Sequence, residues 1–217
     1  MSDNFGSSML GASAMSEEPN LSDIQFRNFF AELIKAQKNF EEAPSSELTR
    51  VASAISKNLI QLIELQTMEA RRAGSASSAG TEMHARYLKA ALADEVMLHI
   101  QGHSRMEWHQ VLLEAALFRS SVAGDKVFDA IDDLLRVREP GQRDLARLYL
   151  NALCLGFMGR YRGVEAHEPL QRYKNDLFQW VYQRPAQLLG PEKRLTAQAY
   201  ANTLSHLPLK RIARLTR

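Results

Sequence analysis

Apolar residues recur along this chain at intervals of three and four over most of its length, the period of a helix with one buried side. Ser22 reads as the start of the first helix, with Gln25 placed for a capping box. Phe26, Phe30, Leu33 and Phe40 form its apolar stripe, and Phe29 widens it. Pro44-Ser45-Ser46 breaks the pattern and caps a second helix, where Leu48, Val51, Ile55, Leu59 and Leu62 recur at helical spacing. Two amphipathic helices joined so briefly should be antiparallel neighbours. Gly74 to Gly80 reads as a flexible loop before a third helix from about Glu82 to His99, ended by Gly102. Ser104 with Glu107 caps a fourth helix carrying Trp108, Val111, Leu112 and Ala115. Gly124 marks a turn, and Val127, Phe128, Ile131, Leu134 and Leu135 predict a fifth helix that Pro140-Gly141 closes. Leu170, Tyr173, Leu177 and Val181 mark the buried side of another helix between Pro169 and Pro185. Pro191 opens a last short one through Ala199 and Tyr200.

The stretch from Leu145 to Gly163 departs from this pattern. From Leu145 to Phe157 it is apolar almost all the way round, so it is predicted to lie inside a bundle, with the rest of the chain organised around it. It is shorter than the roughly 20 apolar residues a bilayer requires. Gly156 and Gly159 close it, since glycine accepts the left-handed conformation at a helix end. Trp108, Leu153, Phe157 and Tyr161 are the expected structural core. No strand alternation and no internal repeat is visible. The pattern predicts an all-α fold of roughly seven helices. Residues 1–20, rich in Ser, Gly, Ala and Met, read as a disordered tail. Residues 21–187 form the helical domain, and 188–217 a short helix and a basic tail.

Composition narrows the function classes. With 45% hydrophobic and 24% charged residues, the 217-residue chain is ordinary for a globular protein and long enough for a sizeable core. A net charge of +2 gives no strong electrostatic case for nucleic acid. The single cysteine, Cys154, excludes an internal disulfide and sits in the most apolar stretch, where a thiol behaves as a small hydrophobe. No signal peptide and no run of 18 apolar residues is present.

Asp94-Glu95 is the polar pair of most interest. On a helix, Tyr87, Ala91, Asp94 and Leu98 share one stripe, and Leu88, Leu92, Glu95 and His99 the adjacent one. Both carboxylates border apolar surface and need a cationic or hydrogen-bonding partner there. They are either a structural ion pair or the edge of an acidic groove that receives a basic partner segment. Arg160 and Arg162, flanking Tyr161, either compensate a helix C-terminus or anchor one of these carboxylates. Glu95, His99 and His103 have a ligand-like spacing of four, but Gly102 interrupts it and no HExxH occurs, so no metal is expected. GxSxG and a phosphate-binding GK[ST] are absent too, so neither catalysis nor a cofactor is expected. Lys210, Arg211, Arg214 and Arg217, with no acidic residue among them, are either a solvated basic tail or the cytoplasmic flank of a membrane span or a contact to an anionic lipid surface.

ALADEVML (91–98), Trp108, AGDKVFDAIDDLL (123–135), CLGFMGRYRG (154–163) and QAYANTL (198–204) occur in one order. Together they resemble the DotU/IcmH family, over roughly residues 22–204, with the LGF-x-GRYR run the most specific. Departures are mild: Val127 stands where many members have an aromatic, and the segment after Gly102 lacks an extra aromatic cluster. The resemblance implies a cytoplasmic all-helical domain of two small packed bundles, followed by a single C-terminal transmembrane helix beyond Arg217. It implies a place at the bacterial inner membrane, a non-enzymatic role in type VI secretion and an IcmF/TssM-like inner-membrane partner. Baseplate proteins of the injection machine, and self-association, are the other implied contacts. The competing reading from the residues alone is a metal- or carboxylate-dependent hydrolase using Asp94, Glu95 and His99.

Overall fold

Asn20, not Ser22, starts the first helix: its side chain accepts the Asp23 N–H at 2.9 Å. The computed structural model describes residues 20–73, 79–100, 104–163 and 167–185. These hold α1 (Leu21–Glu41), α2 (Leu48–Arg72), α3 (Ala79–Leu98), α4 (Ser104–Trp108), α5 (Leu113–Phe118), α6 (Ala123–Val137), α7 (Arg143–Cys154) and α8 (His167–Tyr182). Single 3-10 turns lie at Ser45–Glu47, Pro140–Gln142 and Gly159–Tyr161. No strand occurs among the described residues, and the fold is all-α. The tail over residues 1–19, most of the Gly74–Gly80 loop, Gly102, His103, the short helix from Pro191 and the basic run Lys210 to Arg217 lie outside the described residues.

Phe26, Phe29, Leu33 and Phe40 of α1 are buried, as are Ala52, Ile55, Leu59 and Ile63 of the adjoining α2. At the far end of this hairpin Gln25 and Gln66 fix the register. Each donates from its side-chain amide to the other's backbone carbonyl, at 3.0 and 2.9 Å. A buried ion pair at 2.9 Å, Asp23 with Arg147, ties α1 to α7.

The hub of the fold is α3 rather than the 145–163 stretch. It packs against α1, α2, α4, α5, α6 and α7. Residues Leu88 to Asp94 are buried without a break, and Ala90, Ala91 and Ala93 let neighbouring helices come close. Even Lys89 is buried: its ammonium donates to Gln66 Oε1 at 2.7 Å, and burial pushes its pKa down to about 8. One bundle gathers α1 to α5 around α3. The second packs α6, α8 and the Gly159 turn with α7.

Leu145 to Leu150, Ala152 and Leu153 are buried, so α7 is an interior helix, but it is shorter than the apolar run. It stops at Cys154 in a Schellman arrangement. Gly156 is left-handed at φ 101°, Phe157 N–H bonds Ala152 C=O at 3.0 Å, and Gly156 N–H bonds Leu153 C=O at 3.3 Å. The helix leaves the core at that point. Cys154 is therefore exposed, contrary to its expected place in the apolar interior. Phe157 returns to the core at 2% exposure, Trp108 and Leu153 are buried, and Tyr161 is half-buried. Phe157→Ala is expected to cost roughly 3–5 kcal/mol in chemical denaturation, the range for truncating a buried aromatic.

Candidate functional site

The expected fourth helix is two short ones. Residues 109–112 interrupt it, and no glycine or proline marks the break. A buried carboxylate explains it. Asp94 Oδ1 accepts the Trp108 indole N–H at 3.0 Å and the Leu113 N–H at 2.9 Å, and Oδ2 accepts the Glu114 N–H at 2.8 Å. Leu112 supplies no side-chain cap at the start of α5, and Asp94 fills that role from α3. Burial pushes Asp94 up to about 6, while the three donated bonds pull it the other way.

The same device occurs twice more. The start of α6 at Val122 has no side-chain cap, and Glu114 of α5 supplies one. Glu114 accepts the Val122 N–H at 3.0 Å and the Ala123 N–H at 3.1 Å, besides the Tyr87 hydroxyl at 2.6 Å. Burial and this carboxylate raise the Tyr87 phenol well above its ordinary range. Met158, which begins the Gly159 turn, also lacks a side-chain cap. Glu95 accepts its N–H at 2.7 Å and the Gly159 N–H at 3.0 Å, and Arg162 also donates to Glu95.

These links close a ring. Asp94 holds α5, α5 holds α6 through Glu114, and Glu95 holds the Gly159 turn. The ring closes where α6 meets that turn, at Gly124 and Gly159. A Cβ on Gly124 would come within 2.9 Å of the Arg160 backbone N, and one on Gly159 within 2.9 Å of the Gly124 carbonyl. Gly159 also has φ +47°, a conformation side chains disfavour. Neither position accepts a side chain while the backbones stay this close.

The ring encloses a groove of about 330 Å³. Leu98, Leu112 and Ala123 contribute apolar surface, with the buried Ala91 and Phe157 behind them; His99, His109, Ser121 and Arg162 are the polar groups at its edge besides the three carboxylates. Arg160 points elsewhere. It bonds Asp129 and Asp132 of α6 at 2.9 and 3.2 Å and Tyr173 of α8 at 3.3 Å. Its guanidinium lies over Phe128 and Tyr161, 5.2 and 5.4 Å from the ring centroids. Arg160 is thus a brace across the second bundle, and Arg162 alone of the two meets the Asp94-Glu95 pair. The His99 ring turns back so that Nδ1 faces the Glu95 carbonyl of its own helix. Among the described residues no cluster of His, Cys, Asp or Glu is placed to hold a metal ion. Glu114 went unread in the sequence. Its signal was a carboxylate between Leu113 and Ala115 at the head of an apolar segment, the same warning that Asp94 gave.

The comparisons with known proteins agree with this architecture. The family described as type VI secretion system protein DotU matches residues 25–216. The chain resembles the cytoplasmic domain of TssL from Acinetobacter baumannii with a TM-score of 0.62 and 21% identity, covering 76% of this chain and 98% of that one. It also resembles SciP/TssL of enteroaggregative Escherichia coli 042 with a TM-score of 0.55 and 19% identity, over 79% of this chain and 99% of that one. No curated protein sequence matches. With the family profile spanning most of its length, the chain belongs to the DotU family, structural components of the type VI secretion system.

Proposed function

We propose that this domain is the cytoplasmic docking module of a type VI secretion membrane complex, and that the groove between α3, α5, α6 and the Gly159 turn receives a partner. Baseplate proteins and an IcmF/TssM-like inner-membrane protein are the partner classes, and self-association is a further contact. The observation that carries the reading is the ring of caps: three carboxylates, the buried Asp94 and Glu114 and the partly buried Glu95, hold the groove walls in place before anything binds, which lowers the cost of association. Membrane attachment comes from a helix following the basic run of Lys210, Arg211, Arg214 and Arg217, whose charge suits a cytoplasmic flank. No helix among the described residues is long and apolar enough to cross a membrane. The domain works by docking, not catalysis: the Asp94 and Glu95 carboxylates are spent on separate helix starts and do not converge with His99 on one reacting atom.

Filling the groove tests this. Ser121 and His99 are exposed at its edge, where a bulky residue costs about 0.5 kcal/mol or less. Ser121→Trp and His99→Trp in the chromosomal gene should leave the melting temperature unchanged and abolish secretion and co-purification with the baseplate. Full secretion by both variants would remove the groove from the docking function.

A further inference from the structure

The carboxylates around the groove first suggest a basic partner, but their acceptor sites are largely taken. Asp94, Glu95 and Glu114 each accept three hydrogen bonds from groups within the fold. Each carboxylate has about four acceptor sites, so three bonds leave at most one, and Asp94 and Glu114 are buried. A lysine or arginine entering here finds little free acceptor capacity unless it displaces a donor already in place. Each buried donor left without an acceptor costs about 1–3 kcal/mol. The charge that remains available is the opposite one. Arg162 lines the groove, its side chain is 35% exposed, and one terminal nitrogen is on Glu95. Its Nε and other terminal nitrogen bond nothing among the described residues. A guanidinium presenting two free N–H groups suits a carboxylate from outside. Between the polar groups at the edge, the half-buried Leu98, Leu112 and Ala123 give the wall its accessible apolar surface.

Building on the docking reading above, we infer that the segment this groove accepts presents a large apolar side chain flanked by a carboxylate: the apolar group fills the space against Leu98 and Leu112 and the carboxylate takes the free edge of Arg162. The occupant is an acidic, amphipathic segment of a partner protein, and the internal carboxylates build the site. The arrangement is asymmetric, because the exposed unused edge belongs to a donor, Arg162, while each carboxylate already holds three donors and is largely shielded from solvent.

Two synthetic amphipathic peptides with the same Leu/Phe face, one flanked by Glu and one by Lys, separate the possibilities when titrated into the 217-residue protein. Fluorescence anisotropy gives the affinities, and amide shifts of Gly124 and Gly159 report whether binding is in the groove. The Glu peptide should bind at least tenfold tighter, with the margin shrinking as salt is raised. Arg162→Gln should erase the preference and keep the residual apolar binding, with a melting temperature within a few degrees of wild type because Glu95 retains its two backbone bonds. Arg162→Lys should keep part of the preference. Equal binding, or tighter binding of the Lys peptide, overturns the acidic assignment and leaves the docking reading to the Ser121 and His99 variants. If neither peptide shifts Gly124 or Gly159, this inference is overturned. If those variants also secrete normally, the docking reading falls with it.

Discussion

Replacing Asp94 by alanine is expected to destabilise the fold by on the order of 4 kcal/mol, lowering the melting temperature by roughly 8–16 °C. The substitution removes one acceptor group from three donors at once: the Trp108 indole and the N–H groups of Leu113 and Glu114. All three residues are buried, so water replaces the carboxylate poorly. It also uncaps α5, which has only six residues and no cap of its own. Asparagine should rescue only part of the loss, because its NH2 group would face a backbone N–H that also donates. The control is Glu107→Ala, whose carboxylate bonds Thr49 at an exposed position and should change stability by less than about 0.5 kcal/mol. The pH dependence has a defined sign. The Asp94 carboxyl has a folded value of about 6, above its ordinary 3.8, so the folded chain holds this proton more tightly. Its contribution is fully present below about pH 4 and is lost as pH rises through 6. The stability gap between wild type and Asp94→Ala should therefore widen on moving from pH 7 to pH 5. A loss below about 1 kcal/mol at either pH would show that Asp94 does not hold α4 and α5 together.

The helices that repeat an apolar period over several turns were legible in the chain. Residues such as Phe26, Leu33, Ile55, Leu59, Phe128 and Ile131 announce both the helix and its buried face, because burial is what selects that spacing. What could not be read is whatever depends on a distant residue. The break between α4 and α5 has no local signal, since its cause is Asp94, 19 residues before the N–H it accepts from Leu113. Gly124 looked like a turn former and is instead the second residue of α6, bare because another backbone passes over it. Cys154 looked buried by its neighbours and is exposed, because the interior helix ends there. The Asp94-Glu95 pair was legible as a polar anomaly beside apolar stripes. Its two different destinations, one helix start and one 3-10 turn, were not, and neither was the third carboxylate that completes the ring. Arg160 and Arg162 look equivalent in sequence, and only the fold separates the brace from the groove residue.

Replacing Glu95 by alanine should cost on the order of 3 kcal/mol, because a charged acceptor is withdrawn from two backbone donors and one guanidinium. Arg162→Ala alone should cost about 1 kcal/mol, since its side chain is partly solvated. The double variant should fall short of the sum by about 1 kcal/mol, the coupling expected of two groups in direct contact. Most of the Glu95 effect thus belongs to the backbone of the turn rather than to the ion pair. Amide exchange makes that distinction visible. In Glu95→Ala the Met158 and Gly159 amides should exchange faster than in wild type, while amides in α1 and α2 change only as far as global stability does. The same turn forms one wall of the groove, so partner co-purification should fall further than the melting temperature explains. Arg162→Ala should leave both amides protected, because their acceptor is still present. If Met158 and Gly159 stay protected in Glu95→Ala, the turn is held by the Gly124 contact and by Phe128 packed against Phe157 and Tyr161. In that case Glu95 accepts those amides without positioning the turn, and the groove wall does not depend on its carboxylate.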